Sequence, residues 1–116
     1  MEVTVDHAET AVVVTPKGDV DASSAPQLRA TLDDLLVQGV HNFVIDLSAV
    51  EFLDSSGIAT LVQLFKRVRI GEGDVRVCGL QAKVQRVFSL IRLDRVFDTF
   101  EGRAEALASF GGTEAR

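Results

Sequence analysis

The sequence predicts an α/β fold in which a mixed sheet of four or five strands is packed against about four helices. Two observations support this class: short β-branched segments alternate with amphipathic helical segments, and capping residues stand where the helices begin. The predicted order is β-β-α-β-α-β-α-(β)-α, and such alternation is typical of sheets built with right-handed crossovers. The length of 116 residues favours one domain, which we assign to residues 1–110, with a flexible tail at 111–116.

The N-terminal residues predict two paired strands. Val3 and Val5 alternate with polar residues, and residues 10–15 are rich in β-branched side chains. A turn is expected near residues 7–9, where the chain would reverse between the strands. Residues 16–18 are Pro-Lys-Gly and should end the second strand.

A first helix is expected to begin after Ser24. Ser24 and Gln27 fit a capping box, in which each side chain bonds a backbone amide of the first turn. Gly39 is a suitable stop. The apolar stripe of this helix comprises Ala25, Leu28, Leu32, Leu35 and Leu36.

The middle of the chain predicts a buried strand followed by a second helix. Residues 42–47 form a nearly continuous apolar run, which is typical of a strand covered on both faces. The helix opens at Asp-Ser-Ser-Gly, residues 54–57, after a short connection. Its apolar stripe comprises Ile58, Leu61, Val62, Phe65 and Val68.

Three or four further elements complete the prediction. Residues 74–79 form another strand, and residues 97–100 form a short edge strand. A third helix lies between them, and a short last helix follows the edge strand. The apolar residues that mark these two helices are Val84, Val87, Phe88 and Ile91, and then Ala104, Leu107 and Ala108.

Charge and hydropathy restrict the class of partner. The 12 basic and 17 acidic residues give a net charge of −5, whereas a protein that binds duplex DNA usually has a basic face. Nucleic acid is therefore disfavoured and protein partners remain open. No apolar run approaches the roughly 20 residues of a membrane span, and the first residues do not resemble a signal peptide. We expect no membrane association and a cytoplasmic location.

Few residues suit catalysis, and we expect a non-enzyme without metal or cofactor. The histidines, His7 and His41, have no metal-ligand spacing, and nothing in the sequence brings either one to a serine. No nucleophile elbow, P-loop or dinucleotide fingerprint is present. The lone Cys78 lies in an apolar run, which favours an inert core thiol.

The segment Asp54-Ser55-Ser56-Gly57 allows two interpretations. One is a well-capped helix, in which Asp54 or Ser55 accepts hydrogen bonds from the first-turn amides and Gly57 lets another backbone come close. The other is a modification site, because free amides and the helix dipole at an N-terminus stabilise a phosphate. A phosphate on Ser55 would then be tolerated without unfolding.

The stretch from Val44 to Ile58, Val-Ile-Asp-Leu-Ser-Ala-Val-Glu-Phe-Leu-Asp-Ser-Ser-Gly-Ile, resembles the signature of the STAS domain. It is most similar to the stand-alone anti-sigma-factor antagonists. Residues 18–21, Gly-Asp-Val-Asp, resemble the Gly-Glu-Leu-Asp segment of that family. The resemblance extends over most of the chain and implies the STAS fold.

The resemblance also implies a partner-switching cycle. The unmodified antagonist binds an anti-sigma factor that is also a serine kinase, and the sigma factor is released. The kinase phosphorylates the serine after the motif aspartate, here Ser55, and a PP2C-type phosphatase resets the switch. Asp21 and Asp54 would flank the site, and Ser56 and Gly57 would shape the loop. We expect a monomer or weak dimer.

Asp21 is expected to assist kinase recognition and to contribute little to the fold, although a turn or cap role is an alternative. Asp19 stands where Glu is usual in the family, and Ile58-Ala59 stands where Leu-Gly is common. Two alternative functions also stay open. Some STAS proteins with this motif are scaffolds of stress-sensing complexes, and others bind nucleotides or lipids.

Overall fold

The structure is a computed structural model that describes residues 1–111. The predicted tail at 111–116 lies outside the described residues, except for Gly111 at the end of the last helix. The elements are β1 (Glu2–His7), β2 (Val12–Lys17), α1 (Ala25–Val37), β3 (Asn42–Asp46), α2 (Ser55–Ile70), β4 (Asp74–Cys78), α3 (Ala82–Leu90), a 3₁₀ turn (Leu93–Arg95), β5 (Asp98–Phe100) and α4 (Arg103–Gly111).

The sheet has five strands in the order β1-β2-β3-β4-β5. β1 pairs antiparallel with β2, with Val5 opposite Val14. The other strands are parallel, and Ile45 of β3 pairs with Val14 on one side and Val77 on the other. The predicted mixed sheet is therefore confirmed, and the short segment before α4 is its edge strand, paired with β4.

The two faces of the sheet are covered by different helices. Alternate residues of a strand point to opposite faces, so Val14 and Ile45 join the large core under α1, α2 and α3. Their neighbours Val13 and Val44 join a smaller cluster with Ala106 of α4. This explains why residues 42–47 are apolar without interruption.

A buried carboxylate ties α4 to its face of the sheet. Asp46, at the end of β3, is only 7% exposed, and its Oδ2 accepts hydrogen bonds from Arg103 Nη2 at 2.9 Å and Nε at 3.3 Å. Burial alone would raise the pKa of Asp46, but hydrogen bonds from Ser48 and Arg103 outweigh it and hold the pKa below its ordinary value. Asp46 is thus a charged group in the fold.

Burial along α2 differs from the predicted stripe. Leu61 and Val68 are buried as expected, but Leu64, which the predicted stripe omits, is buried as well. Ile58, Val62 and Phe65 are only partly buried. α2 packs against both the sheet and α1, so the fully covered row is shifted by about one residue position.

The capping box predicted for α1 does not form. Ser24 is the N-cap residue by position, but its side chain makes no capping bond. The Ser24 hydroxyl instead donates to the Asp19 carbonyl, 2.8 Å away, and the Gln27 side chain accepts from the N-terminal amine. Partners outside the helix, one five residues before Ser24 and one at the N-terminus, therefore take both side chains away from the capping motif.

Three smaller differences concern the ends of β2 and α3 and the buried residue of α4. β2 continues through Pro16, which lies beyond the last residue paired with β3 and so interrupts none of that pairing. α3 ends at Leu90, and Ile91 is exposed because the chain turns away there. In α4 the buried residue is Ala106, while Ala104 and Ala108 face solvent.

No helix within residues 1–111 is long and apolar enough to cross a membrane.

The turn between α2 and β4 generates a stability prediction. A Cβ on Gly73 would lie 1.9 Å from the His41 carbonyl oxygen, so Gly73→Ala must displace backbone and should lower the free energy of unfolding by about 1–3 kcal/mol. Gly71→Ala is the matched control, because its Cβ would meet nothing closer than 3.9 Å. Urea denaturation should show the control within about 0.5 kcal/mol of wild type. Equal midpoints for the two variants would contradict this steric argument.

Candidate functional site

Ser55 is the first residue of α2 and is exposed to solvent. It follows the connection of residues 47–54, which leaves the carboxyl end of β3. Within residues 1–111, the Ser55 side chain makes no hydrogen bond. Its hydroxyl is therefore accessible to solvent, and no side-chain hydrogen bond among these residues has to break for it to react.

Asp54 caps α2. Its backbone is extended, with φ −98° and ψ −171°, and its Oδ1 accepts hydrogen bonds from the amides of Ser56 at 2.8 Å and Gly57 at 3.1 Å. Of the two capping candidates, the structure therefore selects Asp54. These two amides are already bound to a carboxylate, so they are not free for a phosphate on Ser55 as the sequence analysis supposed.

The loop before Ser55 is bonded to the loop after β2. The Val20 amide donates to the Phe52 carbonyl at 3.0 Å, and the Asp54 amide donates to the Val20 carbonyl at 3.1 Å. Val20 and Leu53 form a parallel bridge, and both side chains are buried. This pairing places Asp21, the residue after Val20, beside Asp54.

The contact between Val20 and the loop before Ser55 also requires a glycine at position 57. A Cβ at this position would lie 2.9 Å from the Val20 carbonyl oxygen and 2.6 Å from Leu53 Cδ1. The close backbone approach inferred from the sequence is thus present. Ser56, the other predicted loop residue, is partly buried, and its carbonyl accepts a hydrogen bond from the Thr60 hydroxyl at 2.9 Å.

Asp21 has a clear structural role. Its Oδ1 accepts hydrogen bonds from the Ser23 hydroxyl at 2.7 Å, the Ser23 amide at 3.0 Å and the Ser24 amide at 3.2 Å. The hydrogen bonds from Ser23 lower the pKa of this carboxyl. Asp21 therefore organises the turn that leads into α1, which is the alternative role considered above.

Phe52 is a surface residue that the sequence analysis did not single out. It is 52% exposed, although its neighbour Leu53 is buried. The bridge with Val20 turns the Leu53 side chain inward, and the alternation of an extended segment then turns Phe52 outward. The site thus presents a large apolar side chain three residues before the Ser55 hydroxyl.

The residues considered for other chemistry lie apart from this loop. His7 and His41 are exposed, as expected, and each stands at or beside the end of a strand. Burial, together with the nearby charge of Asp46, raises the pKa of the Cys78 thiol to about 12, so the thiol stays protonated. Within the described residues no cluster of three His, Cys, Asp or Glu side chains could hold a metal ion.

The family model described as the STAS domain matches residues 2–106. The chain belongs to the STAS domain family. This STAS protein is 32% identical to the anti-sigma-B factor antagonist of Bacillus subtilis over 98 residues, 84% of this chain and 89% of the relative. It is 28% identical to the anti-sigma-B factor antagonist of Listeria monocytogenes over 93 residues, 80% and 78% of the two chains.

A solved structure has a similar overall fold. An anti-sigma factor antagonist from Mycobacterium paratuberculosis superposes with a TM-score of 0.86, covering 94% of this chain and 92% of its own, at 28% identity. The STAS fold and the family expected from the Val44 to Ile58 signature are therefore confirmed.

The capping geometry predicts how the site tolerates substitution. Asp54→Ala removes the acceptor for two amides and should cost about 0.5–2 kcal/mol of stability. Asp54→Asn is the matched control, because its side-chain oxygen can still accept both hydrogen bonds and it should retain most of the stability. Thermal and urea melts of the three proteins test this. An Asn variant as unstable as the Ala variant would show that the carboxylate charge, and not the hydrogen bonds, stabilises the helix start.

Proposed function

We propose that this STAS protein is an anti-sigma factor antagonist whose binding surface is centred on Ser55. The observation that supports it most is the exposed, unbonded Ser55 hydroxyl on a loop held firmly by Val20. A residue that is modified must be accessible, and a residue that is recognised must be held in place. The names of the relatives support the same assignment.

Phosphorylation of Ser55 is proposed as the switch. The unmodified protein binds an anti-sigma factor that is also a serine kinase, and this frees the sigma factor. The kinase transfers the γ-phosphoryl group of ATP to Ser55 Oγ, and the hydroxyl proton leaves as ADP is formed. A phosphatase of the metal-dependent PP2C type then hydrolyses the phosphoserine with water and restores the hydroxyl.

The electrostatics of the loop explain how a phosphate would act. It adds a charge of about −1.5 to −2 near pH 7 to a protein that already carries −5. It stands directly after the Asp54 carboxylate, which occupies the amides of Ser56 and Gly57. Those two amides are therefore not available to the phosphate, and at a closed interface it must lose water or meet a like charge.

Recognition would use the residues around the hydroxyl. Phe52 offers exposed apolar area, and the linked turn after Val20 carries Asp21. Ser56 and Gly57 contribute through the shape of the loop.

In this proposal the protein acts by binding and carries out no catalysis. It needs no cofactor, works in the cytoplasm as a monomer or weak dimer, and contacts neither nucleic acid nor membrane.

The effect of Ser55 phosphorylation on affinity tests the proposal. A like-charge or desolvation penalty of about 2–5 kcal/mol corresponds to binding about 30- to 5,000-fold weaker. Ser55→Asp carries less charge and should reproduce part of the loss. Ser55→Ala should still bind and should resist release by ATP. Calorimetry with the anti-sigma partner measures the affinities, and fragment-ion mass spectrometry locates the phosphate.

Thermal melts of the same proteins provide the control. The melting temperature should change little on phosphorylation, because Ser55 is exposed and its side chain makes no hydrogen bond within the part of the chain that the structure describes. Equal affinity of the phosphorylated and unmodified proteins would refute the switch. A large fall in melting temperature would replace local blocking by unfolding.

A second prediction concerns Phe52. If its ring is buried against the partner, Phe52→Ala should weaken binding about 5- to 30-fold while the fold is retained. Leu90→Ala is the control. Leu90 is 77% exposed but is the last residue of α3, the crossover helix between the parallel strands β4 and β5. A crossover helix returns toward the amino ends of the strands, whereas Ser55 follows the carboxyl end of β3. Binding that is equally sensitive to both changes would argue against a surface centred on Ser55.

A further inference from the structure

Asp46 holds two separate parts of the protein with its two carboxylate oxygens. Oδ1 accepts a hydrogen bond from the Ser48 amide at 3.0 Å, at the start of the loop that leads to Ser55. Oδ2 accepts two hydrogen bonds from Arg103, the first residue of α4. One buried side chain therefore connects the loop before Ser55 with the helix on the α4 face of the sheet.

The backbone of Ser48 is held from two further directions. Its carbonyl accepts a hydrogen bond from Gln81 Nε2 at 2.7 Å, although the Ser48 side chain is exposed. Gly79, after β4, packs so closely that a Cβ there would lie 3.0 Å from Ser48 Cβ and 3.1 Å from Asp46 Oδ1. A rotation of the Asp46 carboxylate would therefore disturb Ser48 directly, because it would break the bond from the Ser48 amide to Oδ1.

Arg103 is itself oriented by several strands. Its Nη1 donates to Asp6 Oδ2 on β1 at 3.1 Å, and its Nη2 donates to the Thr15 hydroxyl on β2 at 3.0 Å. The guanidinium is a rigid planar fork, so these bonds also fix the direction from which it meets Asp46.

We propose that Arg103 is a positioning residue for the Ser55 loop: it orients the Asp46 carboxylate so that Oδ1 holds the Ser48 amide. Its relevance to switching rests on the function proposed above. No contact of Arg103 with a partner is required, since it lies on the opposite face of the sheet from α2.

The physical basis is the cost of a buried unpaired charge. Without Arg103, the Asp46 carboxylate loses its counter-charge in a site that is 7% exposed, and it must rotate, admit water or bind a proton. Each response weakens the bond from Oδ1 to the Ser48 amide. The later part of the loop keeps its bonds to Gly18 and Val20, so the expected change is local loosening and not unfolding.

Amide hydrogen exchange on the full chain tests this coupling without any partner. Loss of one hydrogen bond should make exchange at the Ser48 amide about 2- to 10-fold faster in Arg103→Met. Arg76→Met is the matched control. Arg76 also joins the sheet to α4, through Ser109 at 3.0 Å and the Phe110 ring at 4.2 Å, but it does not contact Asp46. Its Ser48 amide should exchange at the wild-type rate.

Two more variants separate positioning from general damage. Arg103→Lys keeps the positive charge without the planar fork, and it should give exchange between wild type and Arg103→Met. In the double variant Asp46→Asn/Arg103→Met no unpaired charge is left buried at position 46, and Asp6, which also loses Arg103, is exposed to solvent. The amide oxygen at position 46 can accept from Ser48, so protection should recover. Unchanged exchange in Arg103→Met would overturn the proposal, as would equally fast exchange in Arg76→Met.

Phosphorylation of Ser55 supplies the functional readout. With the kinase and ATP, Arg103→Met should be labelled several-fold more slowly than Arg76→Met. Faster exchange at Ser48 with an unchanged rate of labelling would overturn the positioning role. A wild-type Ser55 that is never labelled would overturn the proposed function instead, and the exchange rates would then still decide whether Arg103 holds the loop.

Discussion

The backbone pairing of Val20 with residues 52–54 is the contact on which the rest of the site depends. It brings the loop after β2 against the loop after β3, and it leaves no room for a side chain at Gly57. Parallel strands end at the same edge of a sheet, so their following loops are neighbours. A pairing between two such segments has a definite register where buried side chains specify it. Here the two buried side chains of Val20 and Leu53 fix it.

This pairing divides the loop into inward and outward residues. Leu53 enters the core, Phe52 faces solvent, and Asp54 turns its carboxylate back onto the first turn of α2. Ser55 is consequently held in position by its neighbours without using its own side chain. A group arranged in this way can gain a charge while the packing beneath it stays unchanged, which suits a reversible switch.

The two faces of the sheet differ in size and polarity. The face under α1, α2 and α3 contains the large apolar core and supports the helix that begins at Ser55. The α4 face is smaller and more polar, because Asp46, Thr15 and Arg103 are bonded there. Asp46 connects the two faces of the sheet. It is bonded to Arg103 on the α4 face, and it ends β3, the strand whose following loop leads to α2.

The sequence alone determined the strand and helix order, the family and the position of Ser55 at the start of a helix. These depend on local spacing: β-branched runs, apolar periodicity and a polar motif that directly follows a buried strand. The predicted edge strand at residues 97–100 also followed from such a run, and β5 occupies its last three residues. Each of these signals is contained in a few consecutive residues, so no knowledge of distant contacts is needed.

Only the tertiary structure decided which side chains cap the helices and which one pairs with the buried Asp46 carboxylate. Asp54 and Ser55 are equally able to cap a helix, and the extended backbone imposed by Val20 selects Asp54. Ser24 has the local pattern of a cap but bonds Asp19 instead. The pair of Asp46 and Arg103 joins residues 57 positions apart, and no local pattern identifies such partners. Which group satisfies a buried charge depends on the chain segments that the fold brings together.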